Sequence, residues 1–185
     1  FNSIDLNSKT VLSTEKYALN LSVSRNSSDN DYEYLGTNGK KNENGQFYNT
    51  SLNVSAGYRL NKYHLVKFYS QFFDSERHFS GTIASSSKSK YQDFNTRNLV
   101  DWIYLKNKLR SSLKFAFLTE QYRYFENYQV AGFESSRAET FIGKYDVNYK
   151  INPKWETNLL LDYSETKGVG SNIGTNVRGT VSASA

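Results

Sequence analysis

From Tyr48 to Asn61 the chain alternates residue by residue. Tyr48, Thr50, Leu52, Val54, Ala56, Tyr58 and Leu60 take one set of positions, and Asn49, Ser51, Asn53, Ser55, Gly57, Arg59 and Asn61 the other. Successive side chains of a strand point to opposite faces, so this stretch predicts one dry face and one wet face. Similar runs recur along the chain and predict about nine strands, at 2–12, 16–26, 47–61, 63–74, 91–104, 109–124, 138–151, 154–167 and 173–185. The dry positions include Tyr17, Leu19, Leu21 and Val23, then Leu113, Phe115 and Phe117, then Phe141, Tyr145, Val147, Tyr149 and Ile151, and finally Trp155, Leu159, Leu161 and Tyr163. Asn53, Arg59, Lys114, Glu120, Lys144 and Asp146 fall on the wet side. In 63–74 and 91–104 the alternation is imperfect, and it fixes no facing there.

The connections alternate as regularly as the residues. Short turns are expected at 13–15, 61–62, 105–108 and 152–153, and long ones at 27–46, 75–90 and 125–137, with a shorter glycine-rich connection at 168–172. Outer-membrane barrels combine short periplasmic turns, long extracellular loops and strands that alternate lipid-facing with lumen-facing residues. Tyr58, Trp102, Tyr104, Tyr149 and Trp155 lie close to the short turns, where an aromatic interface girdle would sit. The fold class expected is therefore all-β: an antiparallel transmembrane β-barrel, or an eight- or nine-stranded segment of a larger one, in a Gram-negative outer membrane. Phe1 at the start and Ser-Ala-Ser-Ala at the end fit a piece of a longer wall.

Composition narrows the alternatives. Of 185 residues, 37% are hydrophobic, and Tyr (15) and Phe (12) supply much of that share. No run of eighteen apolar residues exists to make a membrane-spanning helix, but barrel strands need none. The absence of cysteine removes disulfides and thiolate metal sites. A net charge of +5 raises the question of nucleic acid, yet Lys and Arg are scattered without a basic block, which argues against such a partner. A basic rim against anionic lipopolysaccharide accounts for the charge equally well.

Candidate chemistry is sparse. Asp29, Asp31 and Glu33 form an Asp-x-Asp-x-Glu cluster in the first long loop, a set of hard oxygen ligands suited to calcium, although a solvated acidic loop has the same composition. Glu76, Arg77 and His78 stand with Asp74 at the mouth of the second long loop as candidate ligand-binding residues, and His64 opens a strand beside a short turn. Gly168, Gly170 and Gly174 precede an alternating strand and not a helix, so a phosphate-cradling role lacks its helix N-terminus. No Ser-His-acid set is suggested by position, so no catalytic residue is expected.

Five stretches resemble the barrel of TonB-dependent outer-membrane receptors, in particular the cobalamin-, haem- and siderophore-receptor group of Bacteroidetes-type bacteria. They are Phe68 to Gly81 (FYSQFFDSERHFSG), Ser89 to Leu99 (SKYQDFNTRNL), Phe115 to Tyr124 (FAFLTEQYRY), Lys144 to Asn152 (KYDVNYKIN) and Asp162 to Gly168 (DYSETKG). The resemblance implies a transporter wall and not an enzyme. It implies a large single-chain barrel, an internal plug domain that contacts TonB, and a surface lipoprotein as a possible partner. No plug-like segment and no TonB-contacting motif is present in these residues. For cobalamin receptors the resemblance implies calcium held by acidic loop residues, a role that Asp29, Asp31 and Glu33 would fill here. Two other architectures share the alternating pattern: a self-contained small barrel, structural or lipid-modifying, and a soluble β-sandwich or lipocalin-like binding module.

Overall fold

Nine strands follow one another in a meander, each hydrogen-bonded antiparallel to the next, in the order β1 to β9. They are β1 (Ile4–Ser13), β2 (Tyr17–Ser28), β3 (Phe47–Arg59), β4 (His64–His78), β5 (Lys90–Lys106), β6 (Leu109–Phe125), β7 (Glu134–Asn152), β8 (Trp155–Gly170) and β9 (Gly174–Ser184). The structure, a computed structural model, describes residues 2–172 and 174–185. Among the described residues there is no helix, and the sheet is open: β1 pairs only with β2, and β9 only with β8. All nine expected strands are present.

Side chains directly opposite each other across an antiparallel pair share a face, so the register carries a face from one edge of the sheet to the other. One row reads Leu12, Leu19, Ala56, Phe68, Val100, Phe115, Gly143, Tyr163, Val181, apolar or glycine at every strand. On the opposite face a row reads Lys9, Ser22, Asn53, Gln71, Arg97, Leu118, Thr140, Thr166, Arg178, polar at all strands but one. The hydrophobic effect normally drives the first kind of row out of water and against a second layer. No second layer exists among the described residues: none of their apolar side chains is buried, while Asn42, Ser75, His78 and Asp101 are.

The polar face is the concave one, since a cavity of about 480 Å³ on it takes lining residues from β2 through β7. The register also settles the two strands with imperfect alternation. In β4, Val66, Phe68 and Phe72 join the apolar face, whereas Leu65, Tyr69 and Phe73 turn to the concave side. In β5, Phe94, Val100 and Trp102 face out, and Leu99 and Ile103 face in. Both strands are apolar on both faces, which blurs a period of two.

Three of the four short turns share a mechanism. Asn61 Oδ1 accepts from the backbone N–H of Tyr63 (2.9 Å) and His64 (3.1 Å). Asn152 Oδ1 does the same for Lys154 (2.9 Å) and Trp155 (3.0 Å) beside Pro153, and Thr14 Oγ1 accepts from Lys16 and Tyr17. These are Asx- and hydroxyl-turns, in which a short polar side chain replaces a backbone acceptor. The turn at 107–108 uses Asn107 at φ 53°, the left-handed region that Asn tolerates. At the other end the strands run further than the spacing predicts: β4 continues to His78, β6 to Phe125, and β7 begins at Glu134. Gly168 and Gly170 lie within β8, and the connection there narrows to the turn following Gly170.

Candidate functional site

The long connections meet at the end of the sheet opposite the short turns, and Glu76 and His78 lie where they meet. Both are on β4, two residues apart and so on one face. Register places Gln92 directly across from Glu76, and Lys90 across from His78. The Glu76 carboxylate then accepts three hydrogen bonds: from His78 Nε2 at 2.8 Å, from Lys90 Nζ at 3.0 Å and from Gln92 Nε2 at 2.6 Å. Burial pushes this carboxyl up, but the bonds from Gln92, His78 and Lys90 and the charge of Lys90 outweigh it, holding Glu76 at about 2.

His78 is 9% exposed and has both ring nitrogens engaged. Nδ1 lies 2.6 Å from Asn44 Oδ1, and the Asn44 amide is oriented by donating Nδ2–H to the carbonyls of Phe79 (2.8 Å) and Ser89 (3.0 Å). Gln46 Nε2 stands 3.1 Å from the same nitrogen. The Tyr128 ring meets the imidazole edge-on at a centroid distance of 5.0 Å, and its backbone N–H donates to Lys88 O. Lys90 Nζ sits 5.0 Å over the Phe125 ring. One hub therefore joins all three long loops: the first through Asn44 and Gln46, the second through Phe79 and Ser89, the third through Tyr128. Charge-assisted hydrogen bonds in a largely dry setting are the strong kind, so the hub stiffens the loop end.

Arg77 points away from its two neighbours, to the concave face, with its guanidinium 5.8 Å from the Phe47 ring. The three candidates at this loop are thus split between faces. Asp29, Asp31 and Glu33 are separated too. Asp29 accepts from Asn2 Nδ2 at 2.6 Å, Asp31 pairs with Lys41 at 3.4 Å, and Glu33 forms an isolated backbone bridge with Lys41. Among the described residues no three His, Asp or Glu side chains gather closely enough to hold a metal ion. His64, as expected beside a short turn, stacks on Trp102 at 5.6 Å and accepts its indole N–H at 3.2 Å.

Two recesses could take a ligand. One of about 790 Å³ opens between the second and third loops, bounded by Lys88, Tyr124, Asn127, Val130 and Phe133. The other is the concave-face cavity, where Tyr69, Leu99, Ala116 and Ile142 form an apolar row beside Gln71 and Arg97. All the wet-side residues expected from the sequence share that concave face, and two of them are ion-paired: Glu120 to Arg97 (3.0 Å) and Lys144 to Asp162 (2.7 Å). Asn44, Lys90, Gln92 and Tyr128 are contacts of this hub that periodicity alone misses. They become visible only when register and loop return are known. No family model matches the chain, and no curated protein matches it.

Proposed function

We propose that this chain forms part of the barrel wall of an outer-membrane TonB-dependent receptor that takes up a scarce, bulky nutrient such as haem, cobalamin or a siderophore complex. The observation that carries the reading is the pair of rows crossing all nine strands, apolar on one face and polar on the other, with no apolar side chain buried among the described residues. Water on both faces would leave the apolar row unfavourably solvated, whereas lipid outside and a wet lumen inside satisfy both. The outward positions of β6 from Leu109 to Phe117, apolar except for Ser111, span about the 9–11 residues that a tilted strand needs to cross hydrocarbon.

Beyond that band β4 to β8 continue as 15- to 19-residue strands, which lift the long loops clear of the lipid. The stiff hub and the loop recess beside it suit capture of a bulky solute from outside. The concave face, with its ion pairs and apolar row, suits contact with a plug. The open edges of β1 and β9 support a wall that continues, because hydrocarbon does not tolerate unpaired strand edges. The nutrient class and the coupling to TonB rest on the sequence resemblance.

The test is recovery of the native polypeptide from fractionated cells. The expected result is a protein in the outer membrane whose gel mobility changes on boiling and whose intact mass is several times 21.3 kDa. A native product near 21.3 kDa, soluble or closed on its own, overturns the proposal.

A further inference from the structure

A polar pair interrupts the outward face inside its apolar band. Ser70 of β4 and Asn98 of β5 stand directly opposite each other, and Ser70 Oγ donates to Asn98 Oδ1 at 2.8 Å. Parity puts both with Phe68, Phe72 and Val100 on the outward side, while Tyr69 and Leu99 beside them take the concave one. The surroundings of the pair on that face are mostly apolar. Phe68 and Phe72 flank Ser70 along β4, and Phe117 lies across from Asn98 on β6. Just beyond, the Phe72 and Phe94 rings meet edge to face at 5.2 Å. Thr96 and Thr119 are the polar exceptions nearby. Ser70 and Asn98 are half-buried, whereas Phe68, Phe94, Val100 and Phe117 around them are exposed.

The pair also lies deep in the band. Asn98 is four residues from Trp102 and six from Tyr104, the aromatic positions near the short turn. At ~3.3 Å per residue and a tilt near 45°, that is roughly 9–14 Å above the girdle, around mid-height of an apolar band about 25 Å tall. A side-chain amide has two N–H donors and two acceptor lone pairs. Ser70 takes one lone pair, and among the described residues Asn98 Nδ2 donates no hydrogen bond. Hydrocarbon offers these donors no acceptor, so leaving them in lipid is unfavourable. Whatever covers them must bring an acceptor to mid-membrane, and a second Asn98 amide does so: across a two-fold axis the two copies exchange a pair of N–H···O bonds. Two-fold pairing of like surfaces is also the commonest way for soluble chains to associate. We propose that this face of β4 and β5 is a dimer contact with a second copy of the protein, with Asn98 at the axis. Phe68, Phe94 and Phe117 would form the dry rim that shields a central polar contact. This inference rests on the membrane reading above.

The experiment is thiol cross-linking of the full-length protein in outer membranes, with any cysteine elsewhere replaced first. V100C puts a thiol two residues from Asn98 on the same face, and L161C puts one on the apolar face of β8, three strands away. A short bifunctional thiol reagent is expected to join V100C copies into a homodimer of twice the chain mass and to leave L161C monomeric. At low protein density, adding N98L to V100C is expected to lower the dimer yield about tenfold, the effect of one intramembrane hydrogen bond. N98Q keeps the amide and is expected to retain most of the yield. No homodimer from V100C, an equal yield from L161C, a yield that survives N98L, or attachment of V100C to a different protein overturns the inference. The V100C and L161C comparison leaves Asn98 intact, so it decides even if N98L fails to fold. Absence of the protein from the outer membrane overturns the proposed function itself, whereas an outer-membrane protein that stays monomeric overturns the dimer contact alone.

Discussion

Phe115 and Ala116 are chain neighbours that face opposite environments, and the contrast between them can be measured. Phe115 projects from the apolar face between Val100 and Gly143, where the missing side chain of glycine leaves room for aromatic neighbours. Its ring lies 6.3 Å from that of Phe141, which continues to Tyr163 at 6.2 Å. On the proposed membrane reading, Phe115→Lys puts a charge in hydrocarbon and is expected to lower folding free energy by about 2–4 kcal/mol, read from urea titrations of refolding into vesicles. Ala116→Lys, on the wet face, is expected to cost less than about 1 kcal/mol. Glu76 makes a second residue-scale prediction. Glu76→Gln keeps the shape but removes the charge that holds His78 and Lys90, and it should loosen the hub by about 1–2 kcal/mol. The readout is faster hydrogen exchange and proteolysis at 79–89. The pH dependence follows from the depressed carboxyl. Held at about 2 against an ordinary 4.5, Glu76 stabilises the hub fully above pH 4.5, and that contribution is lost as pH falls toward 2.

At the scale of elements, the turns are the most local structures and the most legible. Asn61, Asn107 and Asn152 are each a single residue whose chemistry suffices to reverse the chain. Asn107→Val is expected to destabilise refolding by about 1–2 kcal/mol, because a branched side chain resists positive φ, while Asn107→Gly is expected to be neutral or better; urea midpoints decide. The strands were legible for the same reason. Period-two patterning depends only on neighbours in sequence, and it locates β3, β6 and β7 together with their faces. It fails where both faces are apolar, as with Tyr69 and Leu99 opposite Phe68 and Val100, because hydrophobicity then says nothing about direction. It also fails at the hub, since Gln92 meets Glu76 only through a register set by the whole β4–β5 pair. The acidic cluster shows the converse relation between sequence and space. Asp29, Asp31 and Glu33 are close in sequence, yet the loop spreads them among Asn2, Lys41 and a backbone bridge.

For the whole molecule, the arrangement is the reverse of a soluble domain: exposed Leu, Phe and Val on one side, polar residues as the buried ones, and two open edges. Such a sheet has no cover for its apolar face in water, so transfer of the full-length protein from detergent into plain buffer is expected to cause aggregation. Spin-label accessibility along β6 decides whether one face meets lipid and the other water. These 185 residues contain no cysteine, so single labels go at each position from 113 to 118 of the full-length protein in vesicles, with any cysteine elsewhere replaced first. Collisions with membrane-dissolved oxygen are expected at 113, 115 and 117, and with a water-soluble nickel chelate at 114, 116 and 118. Accessibility without alternation, or alternation in the opposite phase, would contradict that division of faces.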